Sequence, residues 1–423
     1  MNYLEAIEFI HSIPWANKKL GLDRIRKLLA AMGDPQKHLK FVHVAGTNGK
    51  GSICEMTTRV LEEAGYTVGV FVSPYIHRFN ERMQVNHQPI ADSELAEIVT
   101  KVKDIALSFE DVPSVFEMIT ATAFQYYYLH NCDYVVLEVG MGGKLDATNV
   151  IDTPLVAVIA TIGLDHTTHL GNTIPEIAYQ KAGIIKEDGD VVIYDQGLEA
   201  VSVFRQEAAK KNAKLTIADF SKIEKLDEDE LYQYFRYRDS KVFALPFMGA
   251  HQLKNASTVL EIVKILNEKG LNISSEIVDR AFRKARWPGR LETMQNDPLF
   301  IVDGGHNPEG ARAAIDAIKD RYGTKKAVVM MGVTKGKDIT NVTTIVNEVA
   351  SSFVAIQAET TRAMAVEDLV ESLAVFGKPV AEAATITEGI EIALSLVKPD
   401  EMVLAIGSLY TVGEVRRYFG KII

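Results

Sequence analysis

The feature that most constrains the fold is an alternation between short apolar runs and longer segments of helical periodicity, which extends along most of the 423 residues. Apolar runs of this length suit strands buried on both faces, and intervening helices favour parallel strands joined by right-handed crossovers. The first series of runs is Phe41–Val44, Thr67–Val72, Tyr134–Val139, Leu155–Ile162 and Val191–Tyr194. The pattern predicts an α/β fold with a mostly parallel sheet and flanking helices.

Residues 287–298 (WPGRLETMQNDP) contain two prolines, a glycine and an Asn-Asp-Pro turn, which indicate a domain boundary. The second series that follows is Phe300–Val302, Ala327–Met331, Phe353–Ile356, Val380–Ala384 and Met402–Ile406. The chain is also longer than one hydrophobic core usually supports. We therefore predict a first domain at residues 1–292 and a second, smaller Rossmann-like α/β domain at residues 293–423.

Other stretches complete the first domain. Residues 1–40 predict two amphipathic helices, the second from about Leu22 to Met32, and helices are also expected at residues 251–269 and 274–285. Residues 212–246 are less regular and predict a small antiparallel addition.

Charge and cysteine content narrow the function classes. The net charge of -10 argues against a protein that binds nucleic acid or an anionic membrane through its general field. Cys54 and Cys132 are the only cysteines, too few for a disulfide framework. Residues 1–5 lack the pattern of a signal peptide, and the longest apolar stretch, around 155–164, is too short to cross a bilayer. We expect a cytoplasmic protein.

The stretch 41-FVHVAGTNGKGSICEM-56 resembles a phosphate-binding loop without matching the standard pattern, since Val44 replaces the first glycine and Gly51 separates Lys50 from Ser52. It nevertheless follows a predicted strand and precedes a predicted helix, so backbone N–H groups would point at bound anion oxygens. Lys50 adds a positive charge, and Ser52 a hydroxyl of the kind that binds Mg²⁺. The alternative is a glycine-rich turn with a solvated lysine. The stretch favours a P-loop-type first domain.

Polar residues also follow the neighbouring strands, and the carboxyl ends of parallel strands meet at one edge of a sheet. Glu138 ends the apolar run YVVLEV, where an unpaired carboxylate is costly to bury. It is either a salt-bridge partner or a metal ligand, and Ser52 on the same edge favours the metal. His166, after the fourth run, is a weaker candidate because Mg²⁺ prefers oxygen ligands.

Lys181 lies in the middle of the apolar stripe of the predicted helix in 174-IPEIAYQKAGIIK-186. A lysine that points inward has a lowered pKa unless it meets an anion. Three interpretations stay open at this point. The side chain reaches the surface, as expected for Lys186; it pairs with a phosphate; or its neutral amine reacts with CO₂ to form a metal-binding carbamate.

Nine motifs carry a family resemblance. They are GTNGKGS (46–52), SPYIHRFNERM (73–83), LEVGMGGKLDATN (137–149), LDHTTHLGNT (164–173), IAYQKAGIIK (177–186), GAHQLKN (249–255), WPGRLE (287–292), DGGHNPEG (303–310) and GSLYTVGEVR (407–416). Together they resemble folylpolyglutamate synthase, in the Mur ligase superfamily, in order from about residue 3 to residue 419. The loop at 46–52 is then similar to that superfamily's own phosphate loop.

The resemblance implies an ATP-dependent amide ligase that adds L-glutamate to the γ-carboxylate of a folate. ATP would phosphorylate the carboxylate, and the amine of glutamate would attack the acyl phosphate. The implied substrates are a folate and L-glutamate, the implied cofactors are ATP and Mg²⁺ at two sites, and a monomer is expected. Many bacterial relatives also make dihydrofolate from dihydropteroate, so the resemblance leaves a second activity open.

Residue roles follow from the same resemblance. Ser52 and Glu138 would bind the first Mg²⁺, while His166 and a carbamylated Lys181 would serve the second. Lys50, Lys181 and His306 would be catalytic. The implied nucleotide contacts are Thr47, Asn48, Gly49, Lys50, Gly51, Ser52, Asn255, Arg290 and Asp303. The implied folate loop contains Ser73, Phe79, Asn80 and Arg82.

Asp303 and His306 lie in DGGHNPEG, which by itself predicts only a turn into a helix. The resemblance instead implies that closure of the second domain brings them to the nucleotide. The chain departs from the family pattern at Gln180, which removes an acidic neighbour of Lys181, and at Gly305, which loosens the turn.

Two other functions remain as alternatives. A Mur-type ligase for a cell-wall precursor is disfavoured because only about 40 residues precede the loop, where such enzymes usually carry a nucleotide-sugar domain. An ATPase that hydrolyses ATP without ligation is the other alternative, and the His306 region distinguishes the two classes.

Overall fold

The computed structural model of the chain describes residues 1–13, 21–360 and 362–422. Its contacts form two compact units, one of Met1–Pro246 with Lys254–Ala285 and one of Phe247–Leu253 with Arg286–Ile423. Each unit contains a mostly parallel sheet with helices, so the predicted fold class is confirmed. The contact boundary falls between 285 and 286, and the domain assignment 1–292 and 293–423 stays a prediction.

The first unit contains an eight-stranded sheet in the order β4-β3-β2-β5-β1-β6-β7-β8. Its strands are β1 Phe41–Ala45, β2 Val68–Phe71, β3 Met83–Val85, β4 Gln88–Pro89, β5 Tyr134–Glu138, β6 Val156–Ile159, β7 Asp190–Tyr194 and β8 Lys214–Ala218. All neighbours from β2 to β8 in this order pair in parallel, and β3 with β4 adds an antiparallel hairpin at one edge. The carboxyl ends of β2, β5, β1 and β6 therefore lie side by side.

Helices cover both faces of this sheet. They are α1 Tyr3–Ser12, α2 Asp23–Ala31, α3 Lys50–Glu63, α4 Asp92–Ala106, α5 Val115–Leu129, α6 Thr167–Leu170, α7 Ile174–Ala182, α8 Leu198–Lys210, α9 Ala250–Glu268 and α10 Ser275–Lys284. Phe124 and Tyr127 of α5 lie in one core cluster, and Phe204 of α8 lies in a second cluster on the same face of the sheet. The capping box of Thr173 and Glu176 and the first-turn Pro175 begin α7, where sequence analysis expected a helix.

The stretch 212–246 forms the predicted antiparallel addition only in part, because its first strand, β8, pairs in parallel with β7 and belongs to the large sheet. Strands β9 Ile223–Glu228, β10 Gln233–Tyr237 and β11 Phe243–Leu245 form a sheet in the order β11-β10-β9. The rings of Phe235 and Phe243 pack against Phe282 of α10, which attaches this sheet to the unit.

The second unit contains a six-stranded sheet in the order β12-β13-β17-β14-β15-β16. Its strands are β12 Glu292–Asn296, β13 Leu299–Val302, β14 Ala327–Met331, β15 Ala350–Ile356, β16 Val380–Ala383 and β17 Met402–Ile406. Its helices are α11 Pro308–Tyr322, α12 Ile339–Val346, α13 Val366–Ala374, α14 Ile386–Leu396 and α15 Leu409–Tyr418. The segment predicted only as a boundary turn also supplies β12, which pairs antiparallel with β13 at the sheet edge.

Within the described ranges, none of the helices has both the length and the apolar character that a bilayer-crossing segment requires.

Candidate active site

The loop between β1 and α3 is fixed by the segment that follows β6. The N–H of Thr47 donates to the carbonyl of Thr161 at 2.7 Å, and the N–H of Asn48 contacts the hydroxyl of Thr161 at 3.2 Å. The hydroxyl of Thr47 donates to the carbonyl of Gly163 at 3.2 Å and accepts from its N–H at 3.1 Å. The segment after β6 therefore holds the loop in shape at the N-terminus of α3, where an anion is stabilised.

Glycine is required at position 49 for two reasons, the backbone conformation and the lack of space for a side chain. Its φ of 87° lies in the left-handed region, and it is the N-cap residue of α3. A Cβ at this position would lie 2.8 Å from Oδ1 of Asn255, so the buried Asn255 side chain lies directly against the loop. The hydroxyl of Tyr194 donates to the same Oδ1. Asn255 thus lies against this loop, and its contact with a nucleotide stays a prediction.

Two lysine side chains converge on one carbonyl of the loop. Nζ of Lys50 donates to the carbonyl oxygens of Gly46 at 3.0 Å and Thr47 at 3.1 Å. Nζ of Lys181, in α7, donates to the same Gly46 oxygen at 2.8 Å. The interpretation that Lys181 points inward is confirmed, because its side chain is only 4% exposed.

The ionisation of Lys181 is shifted toward the neutral amine. Burial lowers its pKa, the charge of Lys50 lowers it further, and Asp165 and Asp146 oppose the shift, so the pKa is about 7. An amine with this pKa is partly deprotonated at neutral pH and can react with CO₂, whereas its protonated form binds an anion. Pairing with a phosphate and formation of a carbamate both fit this position. The interpretation that the side chain reaches the surface is wrong, because Lys181 is buried.

Two oxygen ligands suited to Mg²⁺ are buried beside this loop. Glu138 is the last residue of β5, opposite Val44 of β1, and its Oε2 accepts the N–H of Ser73 at 2.9 Å. Ser52 is buried in the first turn of α3. Mg²⁺ sites with one or two protein oxygen ligands are usually completed by substrate phosphates and water. Ser52 and Glu138 are buried oxygen ligands of this kind. Among the described residues, no three or more His, Cys, Asp or Glu side chains are grouped so that they could hold a metal ion.

His166 lies beyond β6, on the same edge of the sheet. Its φ of 51° is left-handed, it begins α6, and its N–H contacts Oδ1 of Asp165 at 2.8 Å. The charge of Asp165 acts on Lys181, so this turn belongs to the surroundings of that lysine. A metal-binding role of His166 stays a prediction.

The segment 73–82 between β2 and β3 is organised by its own side chains. Phe79, Asn80 and Arg82 are buried. The Asn80 amide donates to the carbonyl of Ile90 at 2.6 Å and accepts from the hydroxyl of Tyr3 at 2.8 Å. Asn80 thus supports the shape of the segment, and contact of Ser73, Phe79, Asn80 and Arg82 with a folate stays a prediction.

In the second unit, Asp303 joins two loops. Its Oδ2 accepts the N–H of Leu291 at 2.9 Å, and its Oδ1 accepts the N–H of Gly305 at 2.7 Å. Burial raises the pKa of Asp303, and the charge of Arg290 opposes this shift. Nδ1 of His306 lies 2.9 Å from the carbonyl of Gly304. Asp303 therefore holds the segments that carry Arg290 and His306 together.

A buried polar chain that sequence analysis did not identify starts at His43, in the middle of β1. Its Nε2 contacts the hydroxyl of Thr148 at 2.9 Å, which donates to Oδ1 of Asp146 at 2.6 Å. Burial and the charge of Lys186 lower the pKa of His43 to about 3, so the ring is neutral. The sequence could have identified His43, because it is a polar residue in an otherwise apolar strand. The same feature identified Glu138 as a candidate.

The chain matches two family models. The Mur ligase middle domain matches residues 44–263, and the Mur ligase glutamate ligase domain matches residues 289–409.

Individual proteins are similar over nearly the whole chain. The chain is 36% identical over 429 residues to the dihydrofolate synthase/folylpolyglutamate synthase of Bacillus subtilis, with 98% of each chain covered. A folylpolyglutamate synthase of Mycobacterium tuberculosis, solved with ADP and AMPPCP, has a TM-score of 0.91 at 29% identity, with 99% of this chain and 98% of that one covered. Escherichia coli FolC, solved with DHPP and ADP, has a TM-score of 0.87 at 27% identity, with coverage of 99% and 98%.

Proposed function

Because the chain belongs to the dihydrofolate synthase/folylpolyglutamate synthase family of Mur ligases, we propose that it is an ATP-dependent ligase that joins L-glutamate to the γ-carboxylate of a folate. A carboxylate is a poor acyl donor, so it is first phosphorylated by ATP. The amine of glutamate then attacks the acyl phosphate, and inorganic phosphate leaves with one oxygen of the original carboxylate. The products are the amide, ADP and phosphate.

The observation that carries this proposal is the convergence of Lys50 and Lys181 on the carbonyl of Gly46, at the N-terminus of α3. A cationic group that donates to a neutral oxygen gains more from an anion with several oxygens, and Lys50 is such a group. Lys181 adds a second positive charge only in its protonated, uncarbamylated form. The backbone N–H groups of the loop point to the same place. This edge of the sheet therefore suits the β- and γ-phosphates of ATP, with Thr47, Asn48, Gly51 and Asn255 as further contacts.

Stabilisation of charge is the main requirement of this reaction. Phosphoryl transfer depends on in-line positioning and on neutralisation of charge on the phosphoryl oxygens. Lys50 neutralises part of that charge and orients the terminal phosphate. Mg²⁺, bound by Ser52 and Glu138, supplies further neutralisation when present. Burial of these groups excludes water, which would otherwise hydrolyse the acyl phosphate.

The state of Lys181 decides how a second Mg²⁺ would bind. Carbamylation converts its amine into a carboxylate, which with His166 supplies ligands for a second ion. A pKa of about 7 supports this step, because only the neutral amine reacts with CO₂. The carbamate would also be held in one orientation by the buried position of Lys181 in α7.

For the second unit, we propose that Arg290 and His306 contact the nucleotide and that Asp303 orients them. Both oxygens of the Asp303 carboxylate accept backbone N–H groups, which supports a role in shaping the two loops. The Ser73 to Arg82 segment is proposed to flank the folate, since its first N–H is bonded to Glu138.

A second activity, the synthesis of dihydrofolate from dihydropteroate and glutamate, belongs to the same proposal. The Bacillus subtilis relative carries both names, and the Escherichia coli structure contains DHPP with ADP. The chemistry is the same, because both acids present a carboxylate to ATP. We also propose that the protein is a monomer and that it is cytoplasmic; the free and buried Cys54 and Cys132 support the second proposal.

The experiment that tests the function is ADP release from ATP in four mixtures: acid and glutamate together, each alone, and neither. Tetrahydrofolate and dihydropteroate serve in turn as the acid, and the amide product is identified by mass. We expect rapid ADP release only when an acid and glutamate are both present. ADP release that is indifferent to both would identify an ATPase. Turnover with a cell-wall precursor acid and with neither folate acid would identify the other Mur-type ligase.

A further inference from the structure

A histidine outside the proposed active site bridges two carboxylates of the phosphate-loop helix. Nε2 of His87 lies 2.7 Å from Oε2 of Glu55, and its Nδ1 lies 2.7 Å from both oxygens of Glu62. Arg59, between them on α3, contacts Glu55 at 3.1 Å and Glu62 at 3.6 Å. The side chain of His87 is 14% exposed and that of Glu55 is 4% exposed. The cluster is thus largely shielded from water.

The geometry requires a doubly protonated ring. An ionised carboxylate only accepts hydrogen bonds, so a ring with a carboxylate on each nitrogen must donate from both. Burial lowers the pKa of His87, but the hydrogen bonds and charges of Glu55 and Glu62 outweigh burial and raise it to about 9. His87 is therefore an imidazolium cation at neutral pH, and two charge-assisted hydrogen bonds hold it.

His87 occupies an unfavourable backbone position for its residue type. With Asn86 it forms the two-residue turn between β3 and β4, and both residues are left-handed, with φ values of 50° and 57°. Such turns favour glycine at the second position, because glycine has no Cβ. A histidine there lowers the stability of the turn, so its side chain must supply a compensating interaction.

This turn connects the two parts of the proposed active site. The segment 73–82 ends where β3 begins, and the N–H of Val72 donates to the carbonyl of Arg82 at 3.0 Å. The hairpin that follows it ends at His87, which contacts α3. The other end of α3 carries the phosphate loop. Contact between His87 and α3 thus fastens the far end of the hairpin to the helix that holds the phosphates.

We propose that His87 is a positioning residue, whose imidazolium fastens the β3–β4 hairpin to α3 and so holds the segment 73–82 in the geometry that the folate substrate needs. The inference rests on the proposed function, which assigns this segment to the folate. The charged groups that face His87 are Glu55, Arg59 and Glu62, all from α3. Loss of the proton from His87 releases the hairpin, because a neutral ring donates only one hydrogen bond.

The sign of the pH dependence follows from the raised pKa. In the unfolded chain the ring has an ordinary pKa of 6.5, and in the folded protein it has a pKa of about 9. The stabilisation by His87 is therefore complete below about pH 6.5 and is lost as the pH rises toward about 9. The hairpin is expected to loosen over the same range.

The test compares wild type with His87→Gln and His87→Gly, and uses His130→Gln as the matched control. His130 also pairs with a glutamate, Glu94 at 2.8 Å, but at an exposed position away from the hairpin. His87→Gly removes the contacts with Glu55 and Glu62 and also relieves the backbone strain of the turn. A loss of function in this variant is therefore due to the missing side chain and not to strain. The ligase assay gives kcat and the KM for tetrahydrofolate and for ATP at about pH 7 and about pH 9.5.

At about pH 7 we expect both His87 variants to raise the KM for tetrahydrofolate about three- to tenfold, because a smaller fraction of molecules holds the segment in place. The KM for ATP and the value of kcat stay close to wild type. At about pH 9.5 the wild type approaches the variants. An unchanged folate KM in His87→Gly, or an equal change in His130→Gln, overturns the proposal.

Hydrogen exchange of residues 73–89 provides a readout that needs no substrate. Exchange is corrected for its intrinsic base-catalysed rate, which rises with pH. Lower protection in both His87 variants at about pH 7, and in wild type only at alkaline pH, supports the proposal. Equal exchange in wild type and variants contradicts it. If wild type shows no ligation, the proposed function fails, and exchange still decides whether His87 fastens the hairpin.

Discussion

The loop after β1 in the first unit and the turn after β13 in the second both follow a strand of a mostly parallel sheet, yet they use their charged groups differently. In the first, Lys50 and Lys181 both donate to the neutral Gly46 carbonyl, in the loop that we propose to hold the phosphates of ATP. In the second, the Asp303 carboxylate is occupied by two backbone N–H groups. The first arrangement suits direct contact with a ligand, and the second suits support of neighbouring residues.

The largest expected effect is on Lys50. Lys50→Ala removes a charge that we propose to act on the transferred phosphoryl group, so kcat should fall by about 10³-fold or more. Lys214→Ala is the matched control, because this lysine pairs with Glu268 on the surface. A kcat near wild type in Lys50→Ala would show that the first loop does not act directly on the ligand.

Lys181→Met should also abolish most turnover, by about 10²-fold or more if Lys181 carries the carbamate. In the absence of nucleotide and CO₂ the same change should stabilise the protein, since it removes a buried amine with a pKa of about 7. The destabilisation of the folded protein by Lys181 is largest below pH 7. It declines toward pH 10.5, because the lysine of the unfolded chain also loses its proton there.

The expected gain in the free energy of unfolding at pH 7 is on the order of 1–3 kcal/mol. Denaturant unfolding of wild type and Lys181→Met across this pH range measures it. Intact mass under CO₂ should show an added carboxylate on wild type and none on the variant. A variant that is less stable at neutral pH, or wild type without added mass, would contradict the account of Lys181.

Asp303→Asn tests the supporting role in the second unit. An amide has one acceptor oxygen, so one of the N–H groups of Leu291 and Gly305 would face the amide NH₂. We expect a loss of about 1–3 kcal/mol in unfolding free energy and a fall of about tenfold in turnover. Full stability combined with a large loss of ATP affinity would instead make Asp303 a direct nucleotide contact.

The smallest effect is expected for Lys186→Met. Burial and the charge of Lys211 lower the pKa of Lys186 to about 8, and its Nζ donates to the carbonyl of Asn149 at 3.0 Å. Lys186 thus resembles Lys181 in its pKa but is bonded to a different loop. Turnover should stay within about twofold of wild type. If Lys186→Met lost as much turnover as Lys181→Met, a lowered pKa would be enough to identify a functional lysine, and contact with Gly46 would not be needed.

The sequence predicted the parts of the fold that depend on long apolar patterns. Every apolar run in the two series contains a strand, and the inward position of Lys181 followed from the helical period of its neighbours. The hairpin β3–β4 was missed because strands of two and three residues leave no periodic pattern. The edge strand β12 was missed because its sequence, ETMQN, contains no apolar run. Pairing with a neighbouring strand, which is a tertiary contact, decides whether they form.

The candidate site was predictable only as far as residue type and position determine it. Gly49, Lys50 and Asn255 lie at one loop, as the motifs predict. The inward orientation of Asn80 and the two backbone partners of Asp303 depend on the path of chain segments that are distant in sequence. A polar residue near a strand end therefore indicates a site, but its hydrogen-bond partners decide whether it contacts the ligand or supports a loop.

The most direct test of the central claim is to follow oxygen from the acid substrate. Tetrahydrofolate labelled with ¹⁸O in its γ-carboxylate is incubated with the enzyme, ATP, Mg²⁺ and glutamate, and the released phosphate is analysed by mass. If the first loop directs ATP to the carboxylate, each phosphate carries one labelled oxygen. Unlabelled phosphate released alongside the amide would contradict an acyl phosphate and the account of the site built on it.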